Sequence, residues 1–250
     1  MMDNISMLNI LKQLKNNSKN KKIGLFDSGI GGISVVHELE KINPNGNIVY
    51  LGDNKNFPYG DKTHEELKNI VTKDIEYLMS KNISILGIAC NTATSVIHEE
   101  YPEILQSPLV FNPISSVCEY IKTNKDMNRV LVIGSKYTVS SRIYERFLDK
   151  ERDLKVLQAS EQLLIEHIEQ SDKQRIQEEI LRIKKNVERD GIDTLVLGCT
   201  HYGYIKDIFR NELPNIQILD PSEIMARDIS KVIDLNGLGE RDIVFTNELT

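Results

Sequence analysis

The 250-residue chain has no tryptophan, only three cysteines and 6% aromatic residues. Cys90, Cys118 and Cys199 form an odd set without CxxC spacing. That pattern argues against a disulfide framework and a zinc knuckle, and it fits a reduced, cytoplasmic setting. No apolar run approaches the roughly 18 residues that span a bilayer, so no membrane association is expected. An excess of positive charge is missing too. The formal charge is −6, and general nucleic-acid binding needs a basic face to neutralise phosphates. What remains is ordinary globular composition, 40% apolar and 27% charged, in a chain long enough for one large domain or two smaller ones. A core of that size needs no structural metal, and no metal site is predicted.

The one basic stretch is Met1 to Lys22, with Lys12, Lys15, Lys19, Lys21 and Lys22 against Asp3. It carries a short apolar patch (Met7, Leu8, Ile10, Leu11, Leu14) but no small-residue cleavage site, so it is not read as a signal peptide. Residues 1–22 are expected to be a flexible basic extension.

From Ile23 onward, short β-branched runs alternate with longer stretches of helical period, the pattern of βα units around a parallel sheet. The spacing predicts strands at Ile23–Asp27, Ile48–Gly52, Ile83–Ala89, Leu109–Phe111, Arg129–Gly134, Leu154–Gln158, Thr194–Gly198 and Ile216–Leu219, with a last short one at Ile243–Thr246. Helices are predicted at Ile33–Ile42, His64–Ser80, Ile114–Lys122, Val139–Leu148, His201–Glu212 and Ser222–Leu235. Glu161–Arg189 is read as two helices broken at Ser171-Asp172. The chain also echoes itself. Val130–Ser135 resembles Ile23–Ser28, and Leu195–Thr200 resembles Leu86–Asn91, in the same order and at separations of 63 and 65 residues. Two similar lobes account for this.

In parallel α/β sheets, ligands bind beyond the carboxyl ends of the strands, where helix N-termini offer free N–H groups. Cys90 and Cys199 both fall there. Each ends an apolar run and precedes small polar residues, Asn91-Thr92-Ala93-Thr94 in one case and Thr200-His201-Tyr202 in the other. A helix N-terminus favours the thiolate. Cys118, in mid-helix, reads as a small core residue. Asp27 ends the first strand and leads into Ser28-Gly29-Ile30-Gly31-Gly32, a short match to a phosphate-cradling loop that reads better as the setting of a base or the orienter of one; Asn56-Phe57-Pro58-Tyr59-Gly60 reads either as a plain turn or as a pocket wall with backbone donors.

Four motifs together, Phe26–Gly32, Gly52-Asp53 with Phe57–Gly60, Ala89–Thr94 and Leu197–Tyr202, resemble the glutamate racemases of the cofactor-independent aspartate/glutamate racemase superfamily. The resemblance runs from about Ile23 to Phe245. It implies two pseudo-symmetric Rossmann-like (flavodoxin-like) α/β lobes with central parallel sheets and the active site between them. The first lobe would comprise residues 23–112 with 222–250, and the second residues 113–221. It also implies interconversion of L- and D-glutamate without cofactor, for peptidoglycan synthesis, in a homodimer. Cys90 would deprotonate D-glutamate with help from Asp27, and Cys199 L-glutamate with help from His201. Substrate contacts would come from Asp27, Ser28, Tyr59, Gly60, Asn91, Thr92, Thr138, Thr200 and His201. The chain departs from the pattern at Ala159–Asp172, where a Cys-Pro and a Glu before Gly are replaced and Glu166 or Glu169 could supply the acid. Gly203 stands where Pro is usual, and Ser135 where Thr is common. Action on aspartate or another acidic amino acid, or a non-catalytic binding role, are the alternatives.

Overall fold

The computed structural model describes residues 4–148, 153–232 and 238–248. Nine strands are present among them: β1 (Lys22–Asp27), β2 (Asn47–Gly52), β3 (Ile85–Ile88), β4 (Val110–Phe111), β5 (Arg129–Gly134), β6 (Lys155–Ser160), β7 (Thr194–Gly198), β8 (Gln217–Leu219) and β9 (Arg241–Phe245). The helices are α1 (Asn4–Asn16), α2 (Ile33–Ile42), α3 (His64–Ser80), α4 (Asn91–Glu100), α5 (Pro102–Leu105), α6 (Pro113–Thr123), α7 (Lys136–Ser140), α8 (Ile143–Leu148), α9 (Gln162–Glu169), α10 (Lys173–Arg189), α11 (Lys206–Glu212) and α12 (Pro221–Val232).

The strands form two sheets, β4-β3-β1-β2-β9 and β6-β5-β7-β8, and every pairing is parallel. Parallel strands covered on both faces need near-continuous apolar runs. Ile85–Ile88 and Thr194–Gly198 are buried along their whole length. Read from its other edge the second sheet runs β8-β7-β5-β6, which repeats the order β4-β3-β1-β2 of the first. The sequence echoes thus fall on equivalent strands, β1 with β5 and β3 with β7. β9 closes the first sheet beside β2 with Phe245 opposite Gly52. Core layers lie on each face of the two sheets, and α12 packs against both α2 and α6 where the lobes join.

Three local features differ from the sequence expectations. Instead of a flexible arm, residues 4–16 form a helix docked on the first lobe: Ile10 and Leu14 are buried in its core, and Gln13 Nε2 donates to the Met79 carbonyl. A 13-residue helix is marginal alone, but each buried Leu or Ile contributes about 1.5–3 kcal/mol, which is enough to hold it. The expected helix Val139–Leu148 is instead α7 and α8, separated at Arg142, whose φ of 53° lies in the left-handed region. Thr200–Ile205 is a 3-10 turn leading into α11 rather than one α-helix from His201. The break at Ser171 is where the spacing placed it, with φ 54°. The predicted end of the last helix, beyond Val232, lies outside the described residues.

Candidate active site

The carboxyl ends of both sheets face one narrow cavity between the lobes. Cys90 and Cys199, at the ends of the equivalent strands β3 and β7, both line it, together with Ser28, Tyr59, Gly60, Asn91, Thr92, Thr200 and His201.

Cys90 is the N-cap of α4 and its Sγ accepts from Ala93 N at 3.4 Å. Burial pushes its thiol well up, and the nearby Asp27 charge adds to this, while Ala93 N–H and the Ser28 hydroxyl act in the opposite direction. Cys90 is therefore a thiol at neutral pH. Asp27 is fully buried behind Cys90. Its Oδ2 accepts from Gly29 N at 3.2 Å and Gly32 N at 3.0 Å. Thr200 Oγ1 donates to Oδ1 from the other lobe at 3.2 Å. Burial raises the Asp27 carboxyl and the positive His201 counters it. Asp27 acts on the site through its charge and through Thr200, not as part of the cavity wall.

Cys199 is half-buried, with Sγ 3.7 Å from His201 Nδ1. The other imidazole nitrogen, Nε2, is 2.6 Å from Glu169 Oε1. Burial alone pulls the imidazole down, but the hydrogen bonds to Cys199 and Glu169 outweigh it, and His201 is raised to about 10. His201 is thus an imidazolium at neutral pH, held between a sulfur and a carboxylate. Glu169 is lowered by the same bond. Of the two acids that could stand in for the family's glutamate, the structure brings Glu169 to His201. The Gly31 backbone makes this approach possible, because a Cβ there would overlap Thr200 Oγ1 and come within 2.9 Å of His201 Nδ1.

Neutral donors surround the two thiols. Tyr144 OH donates to Asn91 Oδ1 at 2.7 Å, which leaves the Asn91 amide N–H groups to the cavity. Thr92 Oγ1 meets Ser135 Oγ across the lobe boundary at 2.8 Å. Thr138 is set back from the cavity wall. Its backbone N–H is capped by Ser135 and its hydroxyl contacts Thr92 and Ser135. Phe57 lies over His201, with ring centroids 5.4 Å apart. Gln162 and Ile165 complete the wall. Neither was singled out in the sequence, although Gln162 occupies the same strand-end position, after β6, as the residues that were.

The Tyr59 hydroxyl is engaged away from the cavity. It lies 2.7 Å from both Asp53 Oδ2 and Asp74 Oδ2, in a buried cluster completed by Asn56 and Thr246 on Asp53. One O–H cannot donate to two carboxylates, so a carboxyl proton is shared there. Burial, reinforced by the Asp53 charge and opposed by the Tyr59 bond, raises Asp74 to about 8. The folded state then keeps a proton between pH 3.8 and about 8 that the unfolded chain has lost, so stability falls as pH rises through that window. Asp74→Asn should remove this dependence: urea midpoints of the variant should change less than wild type between pH 5 and pH 9. Parallel midpoints would place the shared proton elsewhere.

Among the described residues no cluster of His, Cys, Asp and Glu has the makings of a metal site, and no helix is long and apolar enough to cross a membrane. Residues 33–229 match the family described as Asp/Glu/hydantoin racemase. A glutamate racemase of Persephonella marina is 36% identical over 229 residues, 90% of this chain and 88% of that one. Among solved structures, a glutamate racemase isoform from Bacillus anthracis superposes with a TM-score of 0.80 at 29% identity, covering 90% of this chain and 87% of that one. The glutamate racemase of Francisella tularensis, solved with D-glutamate, gives a TM-score of 0.80 at 26% identity, covering 91% and 88%.

Proposed function

The chain belongs to the Asp/Glu/hydantoin racemase family, and on that premise we propose that it interconverts L- and D-glutamate without a cofactor, using Cys90 and Cys199 as two bases. The observation that carries this is the placement of the two cysteines at the ends of equivalent strands, on one cavity. Inversion at Cα needs a base on one face and an acid on the other, and two pseudo-symmetric lobes supply opposed groups.

In the L-to-D direction the Cα proton passes to Cys199 as thiolate. The electron pair left on Cα then takes the Cys90 S–H proton from the opposite face, leaving Cys199 a thiol and Cys90 a thiolate. The reverse direction exchanges the roles. The thiol form of Cys90 and the imidazolium beside Cys199 match the protonation state needed to take a proton from L-glutamate. Asp27 and Thr200 position the Cys90 side, and Glu169 with His201 the Cys199 side. The polar groups that Ser28, Asn91, Thr92 and Thr200 bring to the cavity, with backbone at Gly60, are neutral and fit a substrate held by neutral donors. Such donors stabilise the developing carbanion without fixing the ground-state charge too tightly. The reading extends to D-glutamate supply for peptidoglycan, in the cytoplasm and as a homodimer.

The test is Cα hydrogen exchange in deuterated water, followed by NMR for both enantiomers of glutamate and of aspartate, with no cofactor added. Exchange with inversion of glutamate alone is the expected result. Exchange of aspartate instead would assign the cavity to the shorter acid, and none with any substrate would leave a non-catalytic member of the fold.

A further inference from the structure

Gln162 has no part in the proton transfers, yet its amide is fixed on the cavity wall. It opens α9 directly beyond β6, in the segment where the sequence departs from the family pattern. Its Oε1 accepts from Lys136 N at 3.3 Å. That bond fixes which end of the amide is which, because an NH₂ group cannot accept from a backbone N–H. The two Nε2 protons are therefore the donors that this cavity-lining side chain has to offer. The side chain also reaches across the lobe boundary: a Cβ on Gly60 would stand 2.7 Å from Oε1, and 3.1 Å from Ser135 Cβ. One helical turn on, Ile165 lines the same wall and is buried. This wall thus presents two N–H donors beside an aliphatic surface, apart from the Thr200 and His201 contacts that serve Asp27 and Cys199.

Resting on the glutamate reading above, we propose that Gln162 and Ile165 are specificity-determining residues: Gln162 donates to the distal carboxylate of the substrate while Ile165 packs against its methylene groups. A neutral amide suits this task, since it recognises the carboxylate without adding a fixed charge to the cavity.

The discriminating variant is Gln162→Glu in the full-length protein, because the new carboxylate keeps an oxygen for Lys136 N and exchanges only the donor. KM for both glutamate enantiomers should rise about a hundredfold, from loss of a hydrogen bond to a charged group plus like-charge repulsion. The expected change in kcat is less than about threefold, with thermal stability unchanged. Competitive inhibition by L-glutamine should strengthen relative to glutamate binding, since its distal amide can donate to the introduced carboxylate. A structural role would not move that preference. Gln162→Met, similar in shape but without polar ends, should raise KM about tenfold, the loss of one such bond. Unchanged glutamate KM in Gln162→Glu, or equal losses for every ligand with a lowered Tm in both variants, would overturn the assignment. Wild-type protein that fails to invert glutamate would instead overturn the reading it rests on.

Discussion

Alanine at either Cys90 or Cys199 should lower glutamate inversion by about 10³-fold or more, because each variant leaves one face of Cα without a proton donor or acceptor. A single positioned acid or base contributes about 10²–10⁴-fold, and here no neighbouring side chain can replace either thiol in position. Enantiomers have equal free energy in water, so the equilibrium constant is one. The loss in kcat/KM must therefore be the same from L- and from D-glutamate, whichever cysteine is removed. The fold should survive. Cys90 is a small buried side chain whose Sγ caps α4 through Ala93 N, and loss of a helix cap costs about 0.5–2 kcal/mol. Cys90→Ser keeps an acceptor at that cap and controls for it. Cys118→Ala is the control for thiol loss as such. That side chain is buried in α6 among Val117, Ile121 and their neighbours, and its removal should leave activity unchanged. Polarimetry on the three alanine variants checks the set; full inversion activity without Cys90 or without Cys199 contradicts the mechanism.

His201→Asn is expected to lower kcat about 10²-fold and to change the pH profile. The imidazolium is held to about pH 10 by Cys199 and Glu169, against the opposing effect of burial. Activity that depends on its charge is thus present at neutral pH and declines as pH rises through 10. The asparagine variant has no group to titrate and should lack that alkaline decline. Glu169→Gln removes one of the two bonds that raise the imidazole, so its alkaline limb should move to lower pH with a smaller loss in kcat, about tenfold. The same coupling acts on folding. A histidine raised above its unfolded value of about 6.5 contributes stability in full below that pH and loses it progressively toward 10. Rate profiles and urea midpoints between pH 6 and pH 10 therefore test one pair by two readouts. An alkaline limb that stays in place in Glu169→Gln would separate Glu169 from the chemistry.

Much of this site was legible in the sequence because it sits at strand ends. An apolar run of four or five residues closed by cysteine and followed by small polar residues occurs twice, and the matching sheet orders are the spatial form of that repeat. The absence of a side chain at Gly31 is what lets Thr200 and His201 come close to the loop after Asp27. Long-range pairings left no such trace. Nothing local to Tyr59 indicates that its hydroxyl meets Asp53 and Asp74 instead of the cavity. Glu166 and Glu169 differ by less than one helical turn, and only the placement of α9 against the Thr200–Ile205 turn selects Glu169. The docking of α1 was hidden for a related reason: Ile10 and Leu14 have helical spacing, but their burial depends on surfaces of α3 and β3 that lie far along the chain. Arg142 shows the opposite limit, a left-handed residue with no glycine or asparagine to signal the break.

Two opposed thiols acting on one carbon make a demand that loss of activity alone does not test. With Cys90 replaced by alanine, Cys199 can still take the proton of L-glutamate and return one from solvent to the same face; with Cys199 replaced, Cys90 can do so for D-glutamate. Enantiomer-resolved Cα deuterium incorporation in the two variants is the most direct measurement. Incorporation with retention is expected into L-glutamate only for Cys90→Ala and into D-glutamate only for Cys199→Ala. Equal incorporation into both enantiomers by either variant, or inversion by either one, would contradict it.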